Sequence, residues 1–103
     1  MTREPGDLVV LDPEGELQPW GFDWTAWLAE IGPSERVADS VWSFSGKDAA
    51  LQISDSSIVT GQLQTQAKFG LPTRGVKYAV TNRITTTSGA KDDRTFYILG
   101  QDT

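Results

Sequence analysis

Residues Val76 to Leu99, VKYAVTNRITTTSGAKDDRTFYIL, decide the fold. Successive side chains of an extended chain point to opposite faces, so Val76, Tyr78, Val80, Asn82 and Ile84 share one side. Lys77, Thr81, Arg83 and Thr85 share the other. Ser88-Gly89-Ala90-Lys91 has the composition of a hairpin loop, and Arg94 to Leu99 pairs back. Phe96 and Ile98 then point one way, Tyr97 and Leu99 the other. The stretch is strand chemistry at both ends, a turn between them, and no group suited to acid, base or nucleophilic work.

Upstream, the same period recurs. Gln62 to Phe69 alternates Leu63, Thr65, Ala67 and Phe69 against Gln62, Gln64, Gln66 and Lys68, a strand with one wet side. Gly70 to Gly75 reads as the loop that joins it to Val76. Arg36 to Ser45 carries Ala38, Trp42 and Phe44 on one face and Val37 and Val41 on the other, which predicts a bulge or a strand buried on both sides. Ser45 to Asp48 turns that strand into Ala49 to Ser54, where Ala49, Leu51 and Ile53 alternate, and Ser54 to Ser57 reads as a polar turn. Leu8 to Leu11 is a short apolar strand closed by the turn cluster Asp12-Pro13-Glu14-Gly15.

Between these lies one change of period. Trp20, Phe22 and Trp24 alternate, whereas Trp24, Trp27, Leu28 and Ile31 fall at helical spacing. Asp23 or Thr25 is the candidate cap, and Gly32-Pro33 the stop, with the glycine making a left-handed exit. The rings of Trp20 to Trp27 are expected to plug one end of a small core, the alternative being an aromatic platform for carbohydrate.

The sequence therefore predicts an all-β protein, an antiparallel β-sandwich of about seven short strands with one short helix. Tyr78 sits where immunoglobulin-type sandwiches carry a tyrosine whose hydroxyl binds back to the preceding loop, here Leu71 to Gly75, the alternative being a plain core tyrosine. Asn82, on the inward face, is expected to bind loop backbone. At 103 residues there is one domain overall, read as an N-terminal arm and first strand over 1–20 and an immunoglobulin-like β-sandwich over 21–103.

Composition narrows the chemistry. Apolar residues make up 38% and charged residues 22%, the balance of a folded soluble globule. No apolar run approaches the roughly 18 residues that a membrane helix needs, so no membrane partner is expected. MTREPGDLVV lacks the apolar core of a signal peptide, which predicts a product made and used in a cytoplasm, or assembled there. There is no cysteine and no histidine, which removes disulfides, thiolate nucleophiles, histidine bases and cysteine or histidine zinc sites. A catalytic serine would need lysine as its base, and no Ser-x-x-Lys pair is expected. No glycine-rich phosphate loop is present, and Asp12 to Glu16 lacks the ligand spacing of a calcium loop. The reading is no enzyme, no cofactor and no metal.

The net charge of −5 opposes nucleic acid binding. It is also uneven: eleven acids face three bases up to Ser57, and six bases face three acids from Ile58 onward. The plain reading is scatter over solvated faces; the sharper one is an acidic and a basic patch on one small body, which suit contacts between neighbouring copies.

FDWTAWLAEIG, VADSVWSFSG and GVKYAVTNRITTTSGAKDDRTFYI together resemble the fiber-tail adaptor proteins of phages and prophages. The resembling positions are Asp23, Trp24, Trp27 and Leu28; Val37 and Trp42; Gly75, Tyr78, Val80, Thr81, Asn82, Ile84 and Thr86; and Gly89, Arg94 and Phe96. The resemblance spans about Phe22 to Ile98. It implies an immunoglobulin-like virion protein of the tail that joins tail fibers to the tail and brings no catalytic residue with it. The expected partners are a tail fiber protein, a tail tube or adaptor protein, and neighbouring copies of the chain in a ring. The expected contact residues are Lys77, Thr81, Arg83, Arg94 and Tyr97, meeting acids such as Glu14 and Glu16 on a neighbour or a tail protein. A carbohydrate- or host-surface-binding module on the same sandwich is the alternative, and exposed Trp20, Trp24 and Trp27 would favour it.

Overall fold

The computed structural model describes residues 3–59 and 61–101. The ends of the expected arm and sandwich, 1–2 and 102–103, lie outside them, and so does the Asp102 charge. In chain order the elements are β1 (Leu8–Leu11), β2 (Gln18–Asp23), α1 (Thr25–Ile31), β3 (Val37–Ser45), β4 (Gln52–Val59), β5 (Gln64–Gly70), β6 (Lys77–Thr86) and β7 (Lys91–Gly100). β1-β7-β6-β3 form a four-stranded sheet and β2-β5-β4 a three-stranded one.

The hairpin that decided the fold is β6 and β7, paired from Lys77↔Leu99 to Thr85↔Lys91. Its loop closes with the Thr86 amide on the Ala90 carbonyl at 2.8 Å and with Gly89 at φ 93, a backbone glycine adopts without a Cβ clash. The expected alternation holds through the hairpin: Tyr78, Val80, Asn82, Ile84, Phe96 and Ile98 are all fully buried.

All pairings within the sheets are antiparallel except one. β1 lies parallel to β7, with Leu8 opposite Tyr97 and Leu11 opposite Gly100, a departure from the all-antiparallel expectation. Alternation sets which face a strand buries, and it is the same for either direction of pairing.

The register breaks expected in β3 occur between Val37 and Asp39. The bulge turns Ala38 outward and leaves Ser40, Trp42 and Phe44 toward the core, so Ala38 does not share a face with Trp42 as expected. The polar turn expected at Ser54 to Ser57 is instead part of β4. There the pairing with β5 shifts between Ser54 and Ser57, and Asp55 takes φ 52. A bulge absorbs the same cluster of small polar residues as a turn, without reversing the chain. Ala49 is exposed, and Leu51 is the buried residue that leads into the strand.

Between the sheets, Phe22, Trp42, Phe69 and Phe96 make one aromatic cluster. Phe22 stacks on Trp42 at 6.0 Å, and Phe69 meets Trp42 edge-on at 5.1 Å. Such pairs contribute about 0.5–1.5 kcal/mol each beyond the area they bury. α1 and the Trp24 that precedes it close one end of the sandwich, with Trp24 and Leu28 both buried and Ile31 exposed. Asp23 Oδ1 accepts the Thr25 amide at 3.0 Å, satisfying one orphan donor, although the helix begins after Trp24. The exit is extended: Gly32 has φ 175 rather than the left-handed turn expected of it.

Candidate interaction surface

Strand pleat delivers every second residue of β6 and β7 to the outer face of the four-stranded sheet. Lys77, Ala79, Thr81, Arg83 and Thr85 from β6 stand opposite Leu99, Tyr97, Thr95, Asp93 and Lys91 from β7. The structure thus brings Lys77, Thr81, Arg83 and Tyr97 onto one surface. The Lys77 ammonium lies 4.7 Å from the Tyr97 ring centroid, within cation–π range. Thr81 and Thr95 share a hydroxyl hydrogen bond at 2.9 Å. Arg83 forks onto Asp93, donating from Nε at 2.7 Å and from Nη2 at 3.0 Å. Those hydrogen bonds, and then the charge, hold the Asp93 carboxyl below its ordinary range and raise the Arg83 guanidinium.

Arg94 is not part of that surface. It stands opposite Asn82, on the inward-facing side of β7, where its guanidinium lies 4.1 Å from the Trp24 ring and donates to the Asp23 carbonyl at 2.9 Å. It joins β7 to the start of the helix. The Asp93 beside it pairs with Arg83 across the hairpin. Glu14 and Glu16 lie on the turn between β1 and β2, both exposed, with the Glu14 amide held by Asp12 Oδ1 at 2.9 Å.

Two further features were not singled out from the sequence. Leu8 and Val10 on β1 and Val41 on β3 are 52%, 40% and 53% exposed, on the same outer face as Lys77 and Arg83. The continuous run Leu8-Val9-Val10-Leu11 was the available signal, since a half-buried strand cannot hide all four. A shallow hollow lined by Val41, Ser43, Thr81, Arg83 and Asp93 lies on the β3 side of that face.

The buried polar groups work inside the fold. Asn82 Oδ1 accepts from Trp24 Nε1 at 3.2 Å and from Thr65 Oγ1 at 2.6 Å. Its Nδ2 donates to Ser40 Oγ at 2.9 Å and to the Val41 carbonyl at 3.3 Å. Asn82 therefore links the two sheets and the residue that precedes the helix, where loop backbone was the expected partner. The Tyr78 hydroxyl accepts the Thr73 amide at 2.9 Å, the contact expected of it, and also donates to Asp48 at 2.6 Å.

Ser88 and Lys91 do stand at Ser-x-x-Lys spacing, contrary to the expectation that no such pair exists. They sit in the β6–β7 hairpin, and the Ser88 hydroxyl donates to Glu35 Oε1 at 2.6 Å, which pins the loop to the segment between α1 and β3. A serine donating to a carboxylate in a surface turn is a structural contact. Among the described residues, no group of three acidic side chains is placed to hold a metal ion.

No curated protein matches the chain. Residues 12–99 match the family model Gp77, described as the podophage GP4 fiber-tail adaptor protein gp77, and the chain belongs to that family of fiber-tail adaptors.

Proposed function

We propose that the chain acts as a non-catalytic connector between tail fibers and the tail, with the outer face of the four-stranded sheet as its contact surface. The observation that carries this is the family match across residues 12–99, since the family is a structural one of the phage tail and not an enzyme. Several copies surround the tail axis, in contacts where one patch meets a different patch on the next copy. Lys77, Thr81, Arg83 and Tyr97 supply the basic and polar side of the contact, and Glu14 and Glu16 of a neighbour, or acids of a tail protein, the other. Arg94 serves this surface indirectly by fixing β7 to the helix. The immunoglobulin-like reading of the sandwich belongs here as well. It is supported by the Tyr78–Thr73 bond, which ties a core tyrosine to the loop before its strand.

The carbohydrate platform has less support. Trp24 is fully buried, and the Arg3 guanidinium lies 4.6 Å from the Trp20 ring, so the three rings do not present a row to solvent.

Particles assembled without this chain test the reading. They are expected to carry complete tails without fibers, and to regain fibers when the purified chain is added. Fibers at the usual number on particles that lack the chain would overturn it. A further check is salt: assembly through exposed charges weakens as ionic strength rises, because screening acts on exposed pairs.

A further inference from the structure

The two sheets leave four strand edges, and they are not alike. On the three-stranded sheet, β2 carries Pro19, which has no amide to offer, and its Gly21 carbonyl already accepts the Arg3 amide at 2.6 Å. β4 is bent by its bulge and by Asp55 at φ 52. Proline, bulges and covering chain are devices that keep an edge from pairing with another molecule. On the four-stranded sheet, β1 and the Ser40–Ser45 part of β3 carry neither a proline nor a bulge. Neither segment holds a proline, a lysine or any other charge, and the β3 bulge lies upstream, between Val37 and Asp39.

The exposed apolar residues fall on these same two edges. Leu8 and Val10 belong to β1, Val41 to β3, and all three face outward from one sheet, with the polar rows of β6 between them. The two edges also run in one direction: β1 is parallel to β7, β7 antiparallel to β6, and β6 antiparallel to β3. A copy rotated about an axis along the strands therefore sets its β1 parallel to the β3 edge of its neighbour. A contact between two different edges repeats from copy to copy and closes into a ring if the rotation closes.

We infer that copies of this chain join head to tail, β3 of one against β1 of the next, extending the four-stranded sheet across the junction. The occupant of each free edge is thus a second copy. The junction adds backbone hydrogen bonds along the four residues of β1 and brings Val41 against Leu8 and Val10 of the neighbour. Four residues of parallel pairing are weak alone, so the ring depends on repetition and on the tail it surrounds. The inference rests on the adaptor reading for the ring, but its contact is uncharged and distinct from the salt-sensitive surface proposed above.

The chain has no cysteine, so introduced ones are the sole targets of a short bis-maleimide. The full-length Val10→Cys/Val41→Cys variant is treated in solution and in assembled tails. A ladder of multimers is expected from the double variant in at least one of the two settings, and monomer from either single variant. Adding Val41→Lys to a Val10→Cys/Ser43→Cys variant should remove the ladder without changing the melting temperature, because residue 41 is already exposed. Covalent dimers from Val41→Cys alone would mean that β3 pairs with β3, and would overturn the inference. So would monomer from the double variant in both settings. The chain content of the same tails is measured alongside: tails that hold chain and fibers yet give no ladder defeat the junction and leave the adaptor reading standing. Tails without the chain defeat the adaptor reading, and the ladder in solution then decides the junction.

Discussion

The hydroxyl of Tyr78 donates to the carboxylate of Asp48 at 2.6 Å, and through that bond β6 holds the loop that follows β3. The donated bond is the main reason the Asp48 carboxyl lies below its ordinary value. A carboxylate with a depressed folded pKa contributes stability above its unfolded pKa, and that contribution is lost as pH falls through the folded value. Stability is therefore expected to fall below about pH 4. Tyr78→Phe should lower the melting temperature at pH 7 and make the acid limb shallower than in the unmodified chain. Parallel acid limbs for the two would contradict the assignment.

Asn82 is the polar centre of the core. Removing its side chain with Asn82→Ala takes one acceptor from Trp24 Nε1 and the acceptor from Thr65 Oγ1, both buried. An unmet buried donor costs about 1–3 kcal/mol, and a cavity adds to it, so a loss of about 3 kcal/mol is expected in urea unfolding. A loss below about 0.5 kcal/mol, the level of an ordinary surface change, would mean the network is not formed.

Two glycines separate space from conformation. A Cβ at Gly21 would collide with the Thr65 carbonyl oxygen across the β2–β5 pair, whereas Gly75, at φ 81, has nothing within 4 Å. Gly21→Ala is expected to cost about 3 kcal/mol or more, the upper end for overpacking. Gly75→Ala should cost about 1–2 kcal/mol, the penalty of a left-handed residue with a Cβ. Equal costs in chemical denaturation would contradict the close approach at Gly21.

The Arg83–Asp93 pair is exposed, with side chains 64% and 43% accessible, so it does little for stability. Asp93→Asn is expected to leave the melting temperature nearly unchanged while freeing Arg83 for a partner carboxylate. Binding to the tail should then strengthen at low salt and lose that gain at high salt. A gain that is independent of salt would rule out a charge contact at Arg83.

The hairpin and its faces were legible because alternation over β6 and β7 is long and uninterrupted, whereas the contact of Tyr78 with its loop was read from the likeness to immunoglobulin-type sandwiches. The direction of β1 was not legible, since Leu8 to Leu11 has the same pattern for parallel and antiparallel pairing. Ser54 to Ser57 read as a turn because serine and aspartate suit turns and bulges alike. The surface was legible in part. Lys77, Thr81, Arg83 and Tyr97 share a face by parity alone, but parity also puts Arg94 on the other side, which charge counting overlooked. Val41 was missed as an exposed residue because the bulge at Val37 to Asp39 resets the faces of β3.

The central claim is that the outer face of the four-stranded sheet makes the connection. Counting fibers by electron microscopy on particles that carry the Lys77→Glu/Arg83→Glu chain tests it most directly. The account predicts a chain that still folds and particles that have lost most of their fibers or fail to retain the chain. Wild-type fiber numbers, on particles that contain the altered chain, would contradict it.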